Sequence, residues 1–363
     1  MLDYYGFQRM QLNSSLSELE QANEQLRQAK KIREKQKRKE AVNKAEREMK
    51  QAAEKAVTIE PHLAYLWFEA LKSELKSDIR GAWQKILTTS PIPSEFHFLP
   101  DISAVSYTPP LSFMLRIPFC LQKSYISKDE RDFHLLDNPL RREKVFQTPM
   151  VAATSWKGAL RAALWQLGHK QDDPVTVRLL GNKRGSEEQQ AGRLYFFPTF
   201  FDKIALEVIN PHDRQTGIDA RGPILMECVQ QEARGDLILL YVPFGPIGQT
   251  EEALRTEVAE DLQVLAEGIR AMLTIYGFGA KTSSGFGMTE DRLAGEGKLA
   301  FRAKLDGRTA PTITPKAAQS QLTLPSAEPS LTSEYVFSSL TELYSLSQCV
   351  TEQLKSSEGG AEV

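Results

Sequence analysis

Cysteine is scarce in this sequence: three in 363 residues, Cys120, Cys228 and Cys349, far apart and odd in number. That excludes a disulfide framework. With no Cys-x-x-Cys pair and no His, Cys and carboxylate set at ligand spacing, no structural zinc site is evident either. No run of 18 or more apolar residues exists, and the N-terminus lacks the short apolar core of a signal peptide, so the chain is expected to be soluble and cytoplasmic, with no membrane partner. Net charge is nearly absent too, 45 basic residues against 47 acidic with a pI near 6.3. Binding of nucleic acid by bulk positive potential is thereby excluded, although a near-zero sum can hide a local field. What is present is the composition of an ordinary globular protein, 41% hydrophobic and 25% charged, at a length that allows about two domains.

The charge is segregated. Glu20 to Ala56 holds 12 Lys or Arg against 7 Glu, a net of +5, which leaves −7 for the remainder. This stretch lies in a helical region, residues 1–90. Ser15 with Glu18 three residues later makes a capping box, and no Gly or Pro follows before Val57, which predicts one long helix of roughly 40 residues and about 60 Å. Its apolar positions (Leu16, Leu19, Leu26, Ile32, then Val42, Ala45, Met49, Ala52, Ala56) lapse between Ile32 and Ala41, where REKQKRKE is solvated on every side. Pairs such as Glu40 with Lys44 suit a merely exposed helix. The basic surplus suits a phosphate-facing one. Pro61 then opens a second helix with Leu63, Leu66, Trp67, Ala70, Leu71 and Leu75 on one stripe.

Residues 91–110 read as a linker, and residues 303–332, rich in Pro, Ser and Thr, as a disordered one. A terminal helix is expected over Ser333 to Leu354, with Val336, Leu340, Leu343 and Leu346 as its face. Between the linkers the pattern is a strand over Ser112 to Ser124, a helix from Ser155 to His169, the strand GRLYFFPTFF and a strand pair around Ile224 to Val242. A helix from Glu251 to Tyr276 and a closing strand after Gly285 complete it. Strand, helix, two strands, helix, strand is the order of a ferredoxin-like α+β fold, also used by RNA-recognition motifs.

Two segments carry chemistry. GFGAKTSSGFG, from Gly277 through Gly279 and Gly285 to Gly287, puts four glycines in eleven residues between a helix and a strand. Lys281, Thr282, Ser283 and Ser284 supply a cation and hydroxyls suited to phosphate oxygens. It is no P-loop, because here the helix precedes the loop, and such a turn also serves plain chain reversal. VAATSWKGALRAALWQLG puts Thr154 and Ser155 at the start of a helix, Lys157 and Gly158 in its first turn and Arg161 one turn on. A helix N-terminus with hydroxyls and a lysine is an anion site. The other reading is a helix capped by Ser155 with both cations solvated.

TSWKGALR and GFGAKTSSGFG, in this order and at this separation, resemble the RAMP superfamily of CRISPR-associated proteins, RNA-binding subunits of effector complexes. Its members carry a Ser-Ser-Leu-Lys-Gly-like turn opening the first helix and a C-terminal glycine-rich loop. LLGNKRGSEEQQAGRLYFFPTFF and INPHDRQTGIDARGPILMECV are similar to stretches of type III backbone subunits. The resemblance covers residues 111–302. It implies a ferredoxin-like RAMP domain, here with an N-terminal helical extension and a flexible C-terminal tail, and guide RNA, target RNA and other CRISPR effector subunits as partners.

The resemblance also implies a site. In type III backbone subunits an aspartate between the first strand and the Lys-Gly turn cleaves bound target RNA in a metal-dependent reaction, and DNPLRREKVFQTPMVAATSWKGALR puts Asp137 there. Asp137 would hold Mg2+ or another divalent cation, or help deprotonate the 2′-hydroxyl. His134 would transfer protons, and Arg141 and Arg142 would stabilise phosphate. Asp before Asn138 and Pro139 equally suits an Asx-turn. Arg214 falls where related subunits have a hairpin near the guide and target duplex, so it would touch RNA backbone or sit in a salt-bridged turn. Thr-Ser-Trp departs from the usual small or aliphatic residues of the turn, and Trp156 would pack into the sheet or stack on a base. Three functions follow: a subunit of a type III effector ribonucleoprotein that cuts target RNA, an architectural subunit that does not, and a guide-processing endoribonuclease. The last is disfavoured because no histidine falls where such a metal-independent enzyme would want a general base near the first helix or the glycine loop.

Overall fold

The computed structural model describes residues 4–59, 99–128, 138–144, 148–182, 189–209, 224–244, 249–303 and 332–356. In chain order the elements are α1 (Tyr4–Lys30), α2 (Lys35–Ile59), β1 (Phe113–Cys120), β2 (Met150–Val151), α3 (Ala153–Gln166), α4 (Pro174–Leu180), β3 (Leu194–Phe196), β4 (Thr199–Phe200), β5 (Ala205–Ile209), β6 (Ile224–Cys228), β7 (Arg234–Tyr241), α5 (Glu251–Ala271), β8 (Arg292–Phe301), β9 (Ser333–Ser339) and α6 (Leu340–Ser356). They belong to two units, one drawn from Met1–Pro91, Lys128–Leu140 and Lys203–Cys228, the other from Ile92–Ser127, Arg141–Asp202 and Val229–Val363.

In the first unit the single long helix expected from the sequence is instead a helical hairpin. Lys31 and Ile32 donate back to the carbonyls of Gln28 and Ala29, closing α1, and α2 then runs back along it so that Lys55 pairs with Glu18 at 2.9 Å. Leu12, Ser15, Leu19, Ala22, Leu26 and Ala29 are buried on α1, and Ala45, Met49, Ala52, Ala53, Ala56 and Val57 on α2. The α1 spacings alternate three and four, which is the seam of a two-stranded coiled coil. Ser15 is a seam residue inside α1, 5% exposed, and not an N-cap. The gap in the apolar pattern after Ile32 is therefore a turn: with nothing to bury there, the chain reverses without Gly or Pro. The same unit holds the antiparallel hairpin of β5 and β6, in register from Ala205 with Cys228 to Ile209 with Ile224. Residues 138–140 lie along β6, where the Glu227 N–H donates to the Asn138 carbonyl and the Leu140 N–H to the Glu227 carboxylate, both at 3.0 Å.

The second unit is built on a five-stranded sheet in the order β3-β7-β1-β8-β9, every neighbouring pair antiparallel. The first four of these strands reproduce the ferredoxin-like order expected from the sequence, with the two inner strands belonging to different halves of the motif. Alternation along β1 explains the layering: Phe113, Leu115, Ile117 and Phe119 are fully buried, while Arg116 is exposed. Phe113 stacks on Tyr241 at 4.5 Å between ring centroids and on Phe301 at 5.4 Å, so three strands share one aromatic layer. On the other face Met114, Ile238 and Ala300 are covered by Ile102 and Val105 of a 3-10 turn, Ile102–Tyr107. Part of the stretch read as a linker thus belongs to the core.

Three elements differ in detail from expectation. GRLYFFPTFF splits around Pro198 into β3, which pairs with β7, and β4, which pairs with β2. The helix expected from Ser333 is a strand as far as Ser339, because Tyr335 and Phe337 alternate into the core as an edge strand requires, and helix only from Leu340. α3 begins at Ala153 on an Ala152 N-cap, not at Ser155, and no side chain caps it. The helix read from Pro61 and the body of the linker 303–332 lie outside the described residues. Among the described residues no helix is long and apolar enough to cross a membrane.

Candidate nucleic-acid interface

The Lys-Gly turn occupies the start of α3. Thr154 and Gly158 are exposed, Ser155, Lys157 and Arg161 half-buried. Burial lowers the pKa of Lys157, and the Arg161 guanidinium one turn on lowers it further. Two cations at i,i+4 repel each other on a helix, and an uncapped N-terminus adds its own positive end. This corner is therefore poised to gain from an anion. Gly158 is the odd residue in it. A helix-interior glycine costs about 1 kcal/mol relative to alanine, and a Cβ built there meets nothing within 4 Å. Packing within the protein gives no reason for glycine at this exposed position.

The glycine-rich loop is held by its own backbone. The Phe278 N–H donates to Gly287 O at 3.1 Å, Ala280 to Ile126 O at 2.7 Å and Gly287 to Ser124 O at 2.9 Å, so the loop closes on itself and on the segment after β1. Its four glycines all have positive φ, 74° at Gly277, 91° at Gly279, 82° at Gly285 and 71° at Gly287. A Cβ on Gly277 would sit 2.6 Å from Phe286 O, and one on Gly287 would collide with the Phe278 backbone. Here the glycines are demanded by the turn itself, and the polar residues between them face out. Lys281, Ser283 and Ser284 are exposed and Thr282 half-buried. Lys281 stands in the left-handed region at φ 59°, the N-cap of the short 3-10 turn Thr282–Ser284. A π-helical turn, Met272–Tyr276, feeds the loop from α5.

One aromatic cluster joins the two segments. Trp156 is fully buried, which decides for packing over base stacking. Its ring lies 4.4 Å from that of Phe278 and 5.9 Å from Phe119, while Tyr125 lies 5.3 Å from Phe278. The Trp156 indole N–H donates to Thr199 Oγ1 at 3.0 Å, and that hydroxyl donates to Asp236 O at 2.6 Å. Burial pushes the Tyr125 phenol up to about 12. Lys157 therefore follows a residue packed against Phe278, and Lys281 comes three residues after Phe278. Sequence reading missed a further cation at this place. Lys123, in the segment after β1, donates to Ser284 O at 3.0 Å, and Gly285 leaves room for its side chain. Nothing near Lys123 in sequence marks it, because the loop it holds is far along the chain.

Behind this corner, Arg193 of the Gly-Arg-Leu stretch is buried in an ionic network. It meets Glu257 at 2.6 Å and Asp261 at 3.4 Å, Arg178 meets Asp261 at 2.8 Å, and the Tyr241 hydroxyl donates to Asp261 at 2.7 Å. Asp261 is fully buried, and that burial raises its pKa against the pull of its partners. The network ties α4 and β7 to α5.

Of the other predicted site residues, Arg141 is exposed and anchored by its N–H on Ser127 Oγ at 2.9 Å, whereas Arg142 is 8% exposed inside a small hairpin closed against Pro149. Arg142 is thus not displayed as a surface cation. Asp137, His134 and Arg214 lie outside the described residues, and so does any metal site built on Asp137. Among the described residues no group of three or more His, Cys, Asp or Glu is placed to hold a metal ion.

A family model described as the RAMP superfamily matches residues 79–290, more than half of the chain. No curated protein matches. Among solved structures, a chain of the type III-B Cmr-beta complex bound to cognate target RNA is 14% identical over 71% of this chain and 74% of that one, at a TM-score of 0.34. A chain of a CRISPR RNA-guided surveillance complex is 17% identical over 55% and 72%, at 0.34, and a chain of a type IV-B CRISPR complex 12% identical over 61% and 96%, at 0.35.

Proposed function

The chain belongs to the RAMP superfamily, and from that premise we propose that it is an RNA-binding subunit of a type III CRISPR effector ribonucleoprotein, holding guide RNA by its phosphates. One observation carries the reading: the uncapped start of α3, with Lys157, Gly158 and Arg161, and the glycine loop, with Lys281, meet at the contact of Trp156 with Phe278. The first-turn N–H groups and Lys157 would take one phosphate, and Lys281 with the hydroxyls of Thr282, Ser283 and Ser284 another. Gly158 lets the sugar-phosphate chain lie against the helix. Phosphate contacts of this kind carry no sequence information, so the subunit would accept any guide.

The proposal includes cleavage of target RNA through Asp137, with a divalent cation supplying Lewis-acid activation there. The second reading, an architectural subunit with the same guide contacts and no cleavage, is separated from it by Asp137→Ala in the reconstituted complex. Loss of a specific cut with target binding retained supports cleavage, and an unchanged set of cuts leaves the architectural role. The guide contact itself is tested with the full chain and labelled RNAs of unrelated sequence. Lys157→Ala and Lys281→Ala should each weaken all of them alike and lower the log–log salt slope by about 0.7, one single-strand phosphate contact. Wild-type affinity and slope in both variants would refute the site.

A further inference from the structure

The helical hairpin gathers charge that a single helix would have strung out. Its buried seam stops at Ala29 on α1 and resumes at Ala45 on α2, and the tip between them is exposed apart from the half-buried Ile32, Ala41 and Val42. From Arg27 to Lys39 the tip carries Arg27, Lys30, Lys31, Arg33, Lys35, Lys37, Arg38 and Lys39, all exposed. The one carboxylate in that stretch is Glu34, 2.8 Å from Lys37. α2 is 25 residues long, so the tip stands at the end of an arm of about 38 Å.

Stability does not explain this arrangement. A helix N-terminus favours acidic residues, as in α5, which opens on Glu251 and Glu252. α2 has no acidic residue in its first turn and opens on Lys35, Lys37 and Arg38. Lys35 also repels Arg38 at i,i+3 and Lys39 at i,i+4. The hairpin thus carries an unfavourable local field that a bound polyanion would relieve. The chemistry also says which polyanion. Between Lys30 and Glu40 the only apolar residue is Ile32, whereas a protein partner's interface needs apolar and aromatic anchors and is depleted in Lys. The successive cations Lys37, Arg38 and Lys39 point round the helix at about 100° steps and do not form one stripe. That suits a flexible, repeating chain of phosphates.

We propose that the tip of the α1–α2 hairpin is a second nucleic-acid contact, gripping the sugar-phosphate backbone of single-stranded RNA. It stands on different residues from the guide site and does not depend on that reading. The test uses the full-length protein and a fluorescent 30-nucleotide RNA of mixed sequence, with anisotropy followed from about 50 to 300 mM KCl. K35Q/K37Q/R38Q/K39Q should bind tenfold or more weakly, with the log–log salt slope lowered by about 2 to 3 at roughly 0.7 per contact and the helical circular dichroism unchanged. K35R/K37R/K39R should bind as the wild type does. Lys157→Ala/Lys281→Ala, assayed in parallel, reports on the guide site alone, so either proposal can fail without the other. The tip assignment is overturned by a wild type that binds no RNA at 50 mM KCl, by unchanged affinity and slope in the Gln variant, or by lost binding in the Arg variant. Competition by polyglutamate of the same length as effective as RNA would overturn it in favour of an acidic protein.

Discussion

Gly158→Ala separates stability from binding in a single substitution. The residue lies inside α3, exposed, with 4 Å of open space around the position a Cβ would take. Alanine there meets no steric opposition and removes the backbone-entropy cost of a helical glycine, a gain of about 0.8–1.0 kcal/mol. Over 363 residues at about 2.1 cal/mol/K each, that raises the melting temperature by about 1 °C. The neighbouring contrast is Gly268 of α5, where a Cβ would come 2.8 Å from Leu164 Cδ2 and 3.0 Å from Leu160 Cδ1. Gly268→Ala should cost about 1–3 kcal/mol through overpacking. Thermal and urea unfolding by circular dichroism measure both, and anisotropy on a labelled RNA measures binding. Gly158→Ala should be the more stable protein and the poorer binder, by about tenfold or 1.4 kcal/mol, if the RNA backbone lies where we propose, against the added methyl. A stabilised Gly158→Ala variant with wild-type RNA affinity would falsify the claim that this turn is a contact surface. One that is not stabilised would show that the helix face is not open.

Trp156→Ala removes a fully buried ring and its bond to Thr199, at about 3–5 kcal/mol. Because the ring carries Phe278, trypsin should cut the variant at Lys281 sooner than the wild type, and equal cutting rates would sever the link between the two segments. Asp261→Ala leaves Arg178 and Arg193 without their shared carboxylate and should cost about 3–5 kcal/mol in urea unfolding. Asp261→Asn, which keeps an oxygen for Tyr241, should cost less, and equal losses would mean that the charge alone, and not the Tyr241 bond, is what the site needs. Burial and Arg161 hold the pKa of Lys157 below the usual 10.5, and phosphate favours its charged form. RNA affinity should therefore be flat below that lowered pKa and fall as pH rises through it. Lys157→Arg, charged throughout, should show no such fall in the same range, and two identical pH profiles would refute the assignment.

The sequence-readable part of the fold is the part where side-chain period and packing agree. β1, α3 and α5 alternate or repeat cleanly, and the order of elements was enough for the sheet topology. The hairpin of α1 and α2 was hidden because half of its seam is alanine and serine, so Ser15 looked like a cap and Ala22 and Ala29 dropped out of the apolar pattern. β9 was hidden because Val336, Leu340, Leu343 and Leu346 satisfy a helical spacing that runs past the real boundary at Leu340. β5 is a half-buried pentapeptide with no clear alternation, visible only through its pairing with β6. For the candidate site, the two motifs were legible as anion-binding segments, yet their meeting on Trp156 and Phe278 was not. Pairwise contact between residues over a hundred positions apart leaves no local periodicity. The glycines misled in an instructive way. Those of the loop serve the turn, while Gly158, counted as one more helix residue, is the one whose presence the protein's own packing does not require.

The edge strand β9 has a consequence for how the domain is made. It closes the β8 side of the sheet, and the chain between Phe301 and Ser333 must be synthesised before it can do so. At roughly 5–20 residues per second that stretch takes about 2–6 s. During that interval the β8 backbone groups later matched by Ser333–Phe337 stand unsatisfied and ready to pair with any passing strand. The surface of α5 that α6 will cover, including the Ala259 carbonyl later met by Thr351, is bare for the same period. A nascent chain of this kind gains from meeting its partners late, after the ribosome has delivered Ser333–Ser356, and is most in need of a chaperone just before.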